Sequence, residues 1–90
     1  MDKFYTYIIQ SKLDDSFYIG YTSDLENRLK FHNLGLSTYT SRKKPWKIVY
    51  FESFENKSEA IKREKFLKKQ RNSTFYINLI KSFRSRSSAG

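Results

Sequence analysis

Lys3-Phe4-Tyr5-Thr6-Tyr7-Ile8-Ile9-Gln10 is rich in aromatic and β-branched residues and predicts a strand. Strand alternation places Tyr5, Tyr7 and Ile9 on one face and Phe4, Thr6 and Ile8 on the other. A polar turn follows at Lys12-Leu13-Asp14-Asp15-Ser16, and Phe17-Tyr18-Ile19-Gly20-Tyr21 predicts a second strand. The two make a hairpin with a turn of about five residues.

Ser23 with Glu26 three residues on forms a capping box, Asp24 suits the first-turn dipole, and Gly35 stands where a C′ residue belongs. Within that helix Leu25, Leu29 and His32 share a face with Arg28 at its edge, so the chain's single His and an Arg both border an apolar stripe. Residues 36–45 are read as a polar, basic loop in which hydroxyls and cations interleave, as in phosphate-binding segments. Trp46–Phe54 predicts a third strand, its entry fixed by Pro45. Asn56 and Glu59 mark a second helix start, leading into Ser58–Gln70; Asn72-Ser73 breaks it, and Phe75–Phe83 reads as a third helix. The expected order is β-β-α-β-α-α, an α/β (α+β) fold with a small three-stranded antiparallel sheet flanked by helices.

Ninety residues suffice for one domain, expected over 1–83, with 84–90 a disordered tail that has nothing to bury. The absence of cysteine removes disulfides, thiolate zinc sites, thiol nucleophiles and iron–sulfur clusters, and a single His removes His-rich metal clusters. No apolar run approaches the ~20 residues of a membrane span, and Met1-Asp2-Lys3 does not begin a signal peptide, so a soluble cytoplasmic protein is expected.

Charge is distributed unevenly. Residues 1–30 set four cations against five carboxylates, whereas residues 31–90 set fourteen against four, a local excess of +10. That favours a polyanionic partner, nucleic acid before anionic membrane; the plainer reading is a protein kept soluble by its lysines.

Several residues could carry chemistry. Glu64 falls on the apolar seam of its helix with Ala60 and Leu67, where a carboxylate is costly unless paired or bound to a cation. It is in an ion pair with Arg63 or Arg28, or at an edge position on a short helix, or it is the single protein carboxylate of a hydrated Mg²⁺ site. Tyr7 and Tyr18, on adjacent strands, are core residues or phenols that cations could activate. Gly20 permits close backbone approach or a positive φ at a strand-to-helix corner. Arg42, Lys43 and Lys44 in the basic loop, and Lys62, Lys65 and Lys69 opposite Glu64, form a surface that either follows a phosphate backbone or is simply solvated. Trp46 and the tyrosines either stack on bases or pack under the sheet. No Gly-rich phosphate loop, nucleophile elbow or zinc spacing occurs.

Together, Tyr5-Thr6-Tyr7, Phe17-Tyr18-Ile19-Gly20-Tyr21-Thr22, Asp24-Leu25-Glu26-Asn27-Arg28-Leu29-Lys30-Phe31-His32 and Lys62-Arg63-Glu64-Lys65 resemble the GIY-YIG endonuclease superfamily, most closely its small stand-alone bacterial members. The resemblance covers about residues 3–71; the Gly and Ile of the first motif are absent. It implies metal-dependent hydrolysis of a DNA phosphodiester. Tyr7 and Tyr18 would be the tyrosines of the two motifs that activate water. Arg28 would bind the scissile phosphate, His32 would hydrogen-bond the phosphate or assist proton transfer, and Glu64 would hold Mg²⁺ or Mn²⁺. With no targeting domain expected, cleavage would be directed by DNA structure or lesions, as in DNA repair, by a monomer or weak homodimer. Alternatives are a basic nucleic-acid-binding module that does not cleave, and a protein-interaction domain using the aromatic surface.

Overall fold

β1 (Phe4–Ser11) is the middle strand of a three-stranded antiparallel sheet of order β2-β1-β3, with β2 (Phe17–Thr22) and β3 (Trp46–Phe54) at its edges. The computed structural model describes residues 3–89, and side chains only as far as Ser85. Helices cover both sheet faces, which is why Thr6, Tyr7, Ile8 and Ile9 are all buried in succession. On one face Tyr7, Ile9 and Trp46 pack with Leu25 and Leu29 of α1 (Leu25–Asn33). On the other, Ile8, Ile19, Val49 and Tyr50 meet Leu67 of one helix and Tyr76 and Ile80 of the next.

The expected β1–β2 hairpin is present, with Tyr7 opposite Gly20 and Ile9 opposite Tyr18. β3 departs from simple alternation. Ile8 pairs with Tyr50 but Ile9 with Ile48, so Val49 is an extra residue in a β-bulge, and Val49 and Tyr50 both enter the same core.

α1 ends as expected, with Gly35 at φ 78, its N–H on the His32 carbonyl (3.1 Å) and the Leu36 N–H on that of Phe31 (3.2 Å). Its start is one residue later than the capping box at Ser23 implies. The Thr22 hydroxyl accepts the Asp24 N–H (3.1 Å), and the Asp24 carboxylate then caps the Asn27 N–H (3.1 Å). The stretch read as a loop contains one helical turn, α2 (Thr38–Ser41), closed by the Ser41 N–H on the Ser37 carbonyl (2.9 Å). A single turn is too short to register as a periodic pattern. Trp46 fixes it from outside by donating its indole N–H to the Thr40 carbonyl (2.9 Å).

α3 (Lys57–Gln70) is capped by Asn56, whose side chain accepts the Glu59 N–H (3.0 Å). It seats closely on the sheet because the residue at contact is Ala60, fully buried, whose carbonyl accepts the Thr6 hydroxyl (2.7 Å). Arg71 turns the chain in the left-handed region, and Asn72 accepts the Thr74 N–H (2.9 Å) at the start of α4 (Ser73–Ala89). The backbone of α4 stays helical past Phe83, through most of the stretch expected as a disordered tail. No glycine or proline interrupts the sequence between them. Gly90 lies outside the described residues.

Candidate active site

Tyr7, Tyr18, Arg28, His32 and Glu64 line one cleft of about 460 Å³. Residues far apart in sequence meet there because β1 and β2 supply the phenols, α1 crosses one face and α3 the other. The sheet register puts Tyr7 directly opposite Gly20. The Tyr7 ring leans across β2 so closely that a Cβ at position 20 would lie 2.5 Å from its hydroxyl oxygen. Of the two roles open to Gly20, close approach is therefore the one realised; its φ is not positive.

The Tyr7 hydroxyl and His32 Nε2 share a hydrogen bond of 3.0 Å, and His32 Nδ1 lies 2.9 Å from the Thr40 hydroxyl. His32 is 2% exposed and Thr40 fully buried. Burial, and then the neighbouring Arg28 cation, push His32 down to about 4, so the imidazole is neutral at pH 7. Tyr7 is held well above the usual phenol range, chiefly by burial, with Tyr18 and Glu64 adding to the rise and Arg28 opposing it. At rest the proton stays on the phenol. A neutral imidazole has one N–H: if Nδ1 donates it to Thr40, Nε2 is left as an acceptor for the Tyr7 hydroxyl.

Arg28 sits one turn before His32, its guanidinium 4.8 Å from the centre of the Phe31 ring. It forms no ion pair among the described residues, so its charge is available to the cleft.

Glu64 occupies the α3 seam between buried Ala60 and Leu67, and its side chain is only 14% exposed. Neither Arg63 nor Arg28 pairs with it. Arg63 turns to Glu52 (3.6 Å), and Glu64 meets Lys68 one turn on (3.1 Å), a half-exposed lysine in a pair worth about 0.3–0.5 kcal/mol. Among the described residues no three His, Cys, Asp or Glu side chains gather as a metal cage. A single shielded carboxylate beside phenols and an unpaired guanidinium suits a hydrated Mg²⁺ or Mn²⁺ that takes its remaining ligands from water and phosphate.

Lys62, Lys65 and Lys69 are exposed on α3 but do not line the cleft. Arg42 and Lys43 border a separate hollow beside α2, and Lys44 is exposed next to it. Lys43 is already held by Asp14 (2.9 Å), which leaves Arg42 and Lys44 as the freer cations there. Trp46 is packed in the core rather than presented for stacking.

Three cleft or near-cleft residues escape the sequence reading. Lys57 lines the cleft and stands seven residues before Glu64, a two-turn spacing that does mark a shared helix face. Phe31 lines it beside Arg28. Thr40 touches His32 across a turn, and no sequence spacing signals that contact.

Residues 3–78 match the GIY-YIG catalytic domain. UPF0213 protein CPE1444 of Clostridium perfringens is 52% identical over 66 residues, spanning 72% of this chain and 70% of its own. UPF0213 protein SSP2268 of Staphylococcus saprophyticus is 49% identical over 65 residues, spanning 71% and 78%. The solution NMR structure of the UPF0213 protein BH0048 from Bacillus halodurans superposes with a TM-score of 0.53 at 32% identity, covering 88% of this chain and 83% of that one.

Proposed function

We propose, from the premise that this chain belongs to the GIY-YIG catalytic-domain family alongside UPF0213 proteins, that it is a Mg²⁺- or Mn²⁺-dependent endonuclease that hydrolyses DNA phosphodiesters. The observation that carries the reading is the meeting of Tyr7, Tyr18, Arg28, His32 and Glu64 in one cleft. The substrate is selected by DNA structure or damage rather than by sequence.

Tyr7 is the better placed of the two phenols to accept a proton from water, because its own hydroxyl already has an acceptor, His32 Nε2 at 3.0 Å. As water oxygen bonds to phosphorus, its proton passes to Tyr7 while Tyr7 hands its own to His32. Thr40 orients the imidazole for this by accepting from Nδ1 (2.9 Å). Tyr18, its ring 5.1 Å from that of His32, shapes the wall on which the attacking water rests. Arg28 binds the non-bridging phosphate oxygens, whose charge grows as the bond to the leaving sugar oxygen breaks. Glu64 would hold the metal ion, which when bound polarises the phosphate, offsets the carboxylate's charge beside Tyr7 and stabilises the departing oxygen.

The test is cleavage of supercoiled, branched and single-stranded DNA by the purified protein, with and without Mg²⁺, beside Glu64→Ala and Arg28→Ala. Metal-dependent cleavage lost in both variants supports the reading. Cleavage that survives Glu64→Ala overturns it, and salt-sensitive binding with no cleavage of any form leaves a non-cleaving DNA-binding module.

A further inference from the structure

We propose that Tyr39, on the α2 turn, is a docking point for an unpaired DNA base, placed so that the neighbouring phosphate enters the cleft. The inference rests on the nuclease reading for what the cleft does, but on separate observations for what α2 contacts.

Tyr39 is 54% exposed, whereas the tyrosines facing the cleft from the sheet, Tyr7, Tyr18 and Tyr21, are buried or half-buried. A single exposed ring is ordinary on a protein surface, and it is the surroundings of Tyr39 that single it out. Its ring lies 5.8 Å from that of Tyr18 at an interplanar angle of 31°, and Tyr18 itself lines the cleft. An aromatic path thus runs from the site to the surface. Tyr39 also borders a hollow of about 550 Å³ whose other walls are Thr38 and the side chains of Arg42 and Lys43.

A mostly apolar hollow rimmed by cations fits an occupant with a flat ring and an anionic backbone. An unpaired nucleotide has both. In a duplex the base faces are covered by stacking, and only the phosphates remain for Arg42 and Lys44. The chemistry therefore singles out single-stranded or frayed DNA, and makes Arg42 and Lys44 general contacts and Tyr39 the discriminating one.

The experiment is fluorescence anisotropy in EDTA, which prevents cleavage, using wild type, Tyr39→Ala and Tyr39→Phe. Three probes of equal length are titrated: a single strand, a duplex, and a single strand carrying abasic sites. Tyr39→Ala is expected to weaken single-strand binding about tenfold, the scale of one stacked base. Tyr39→Phe should retain affinity, the duplex should change less than about twofold, and the abasic strand should not distinguish Tyr39→Ala from wild type. Unchanged single-strand affinity in Tyr39→Ala overturns the proposal. So does an equal loss on all three probes. If the wild type cleaves nothing yet shows the Tyr39-dependent pattern, the nuclease reading fails and this assignment stands.

Discussion

The hydroxyl of Tyr7 occupies the space where a side chain at Gly20 would begin: a Cβ there would come within 2.5 Å of the hydroxyl oxygen and 2.8 Å of the ring carbon that bears it. The second-strand glycine is therefore part of the device that holds the phenol. Gly20→Ala must displace the ring or bend β2. It is expected to cost about 1–3 kcal/mol of stability by overpacking. Cleavage should fall further than the lost folded fraction explains. Thermal unfolding and nicking rate measured on the same preparation separate the two effects.

Tyr7→Phe keeps the ring over Gly20 and removes only the oxygen. A proton-transfer role predicts a fall in cleavage rate of roughly 10²–10⁴-fold with DNA affinity unchanged. The buried His32 Nε2 loses its partner, at a cost of about 1–3 kcal/mol. Tyr18→Phe, measured in the same single-turnover assay, should lose less.

Thr40 is fully buried against His32, with its hydroxyl 2.9 Å from Nδ1, so its expected influence on cleavage runs through the imidazole. Thr40→Val keeps the shape but removes the hydroxyl hydrogen-bonded to Nδ1, so cleavage should fall and its pH profile should shift. Thr40→Ser should restore both. A purely structural role for Thr40 would lower the unfolding temperature of the Val variant and leave the pH profile in place.

His32 makes folding pH-dependent in a defined window. Tyr7 and Tyr18 face it from the sheet, Arg28 from its own helix and Thr40 from α2, and among the described residues no carboxylate is hydrogen-bonded to it. Its pKa is pushed from 6.5 to about 4 in the folded protein. The unfolded chain thus takes up a proton below about pH 6.5 that the native state refuses. The stability His32 contributes is full above that pH and is lost as pH falls toward 4. Because the chain has a single His, its imidazole resonance is assignable at once. NMR should show it titrating near 4, with the urea midpoint already declining between pH 6.5 and 5; titration at an ordinary 6.5 would contradict the burial and the Tyr7 contact.

The strands and helices were legible because their signals are local. A run of aromatic and β-branched residues marked β1, the Asn56 and Glu59 spacing marked α3, and Gly35 marked the end of α1. Glu64 stood out because a carboxylate on an apolar seam needs a reason. What could not be read depends on contacts between distant segments. The Val49 bulge exists only in the pairing of β3 with β1, and it breaks the period-two pattern where a sequence reading relies on it. The cap moved from Ser23 to Asp24 because Thr22, still in β2, holds the Asp24 N–H. Thr40 and α2 are fixed by Trp46 and His32, neither of them close enough in sequence to leave a spacing signature. Lys68 took the place expected for Arg63 as the partner of Glu64, since Arg63 is drawn across to Glu52 of β3.

The proposal stands on one cation binding beside two phenols and a guanidinium drawn from separate parts of the chain. Titrating Mn²⁺ into the isotope-labelled protein and following paramagnetic broadening of the backbone amides locates that cation without relying on catalysis. Broadening centred on Glu64 and reaching Tyr7 and Gly20, and abolished by Glu64→Ala, is the predicted result. Broadening confined to the acidic hairpin turn at Asp14 and Asp15, unchanged in Glu64→Ala, would contradict it.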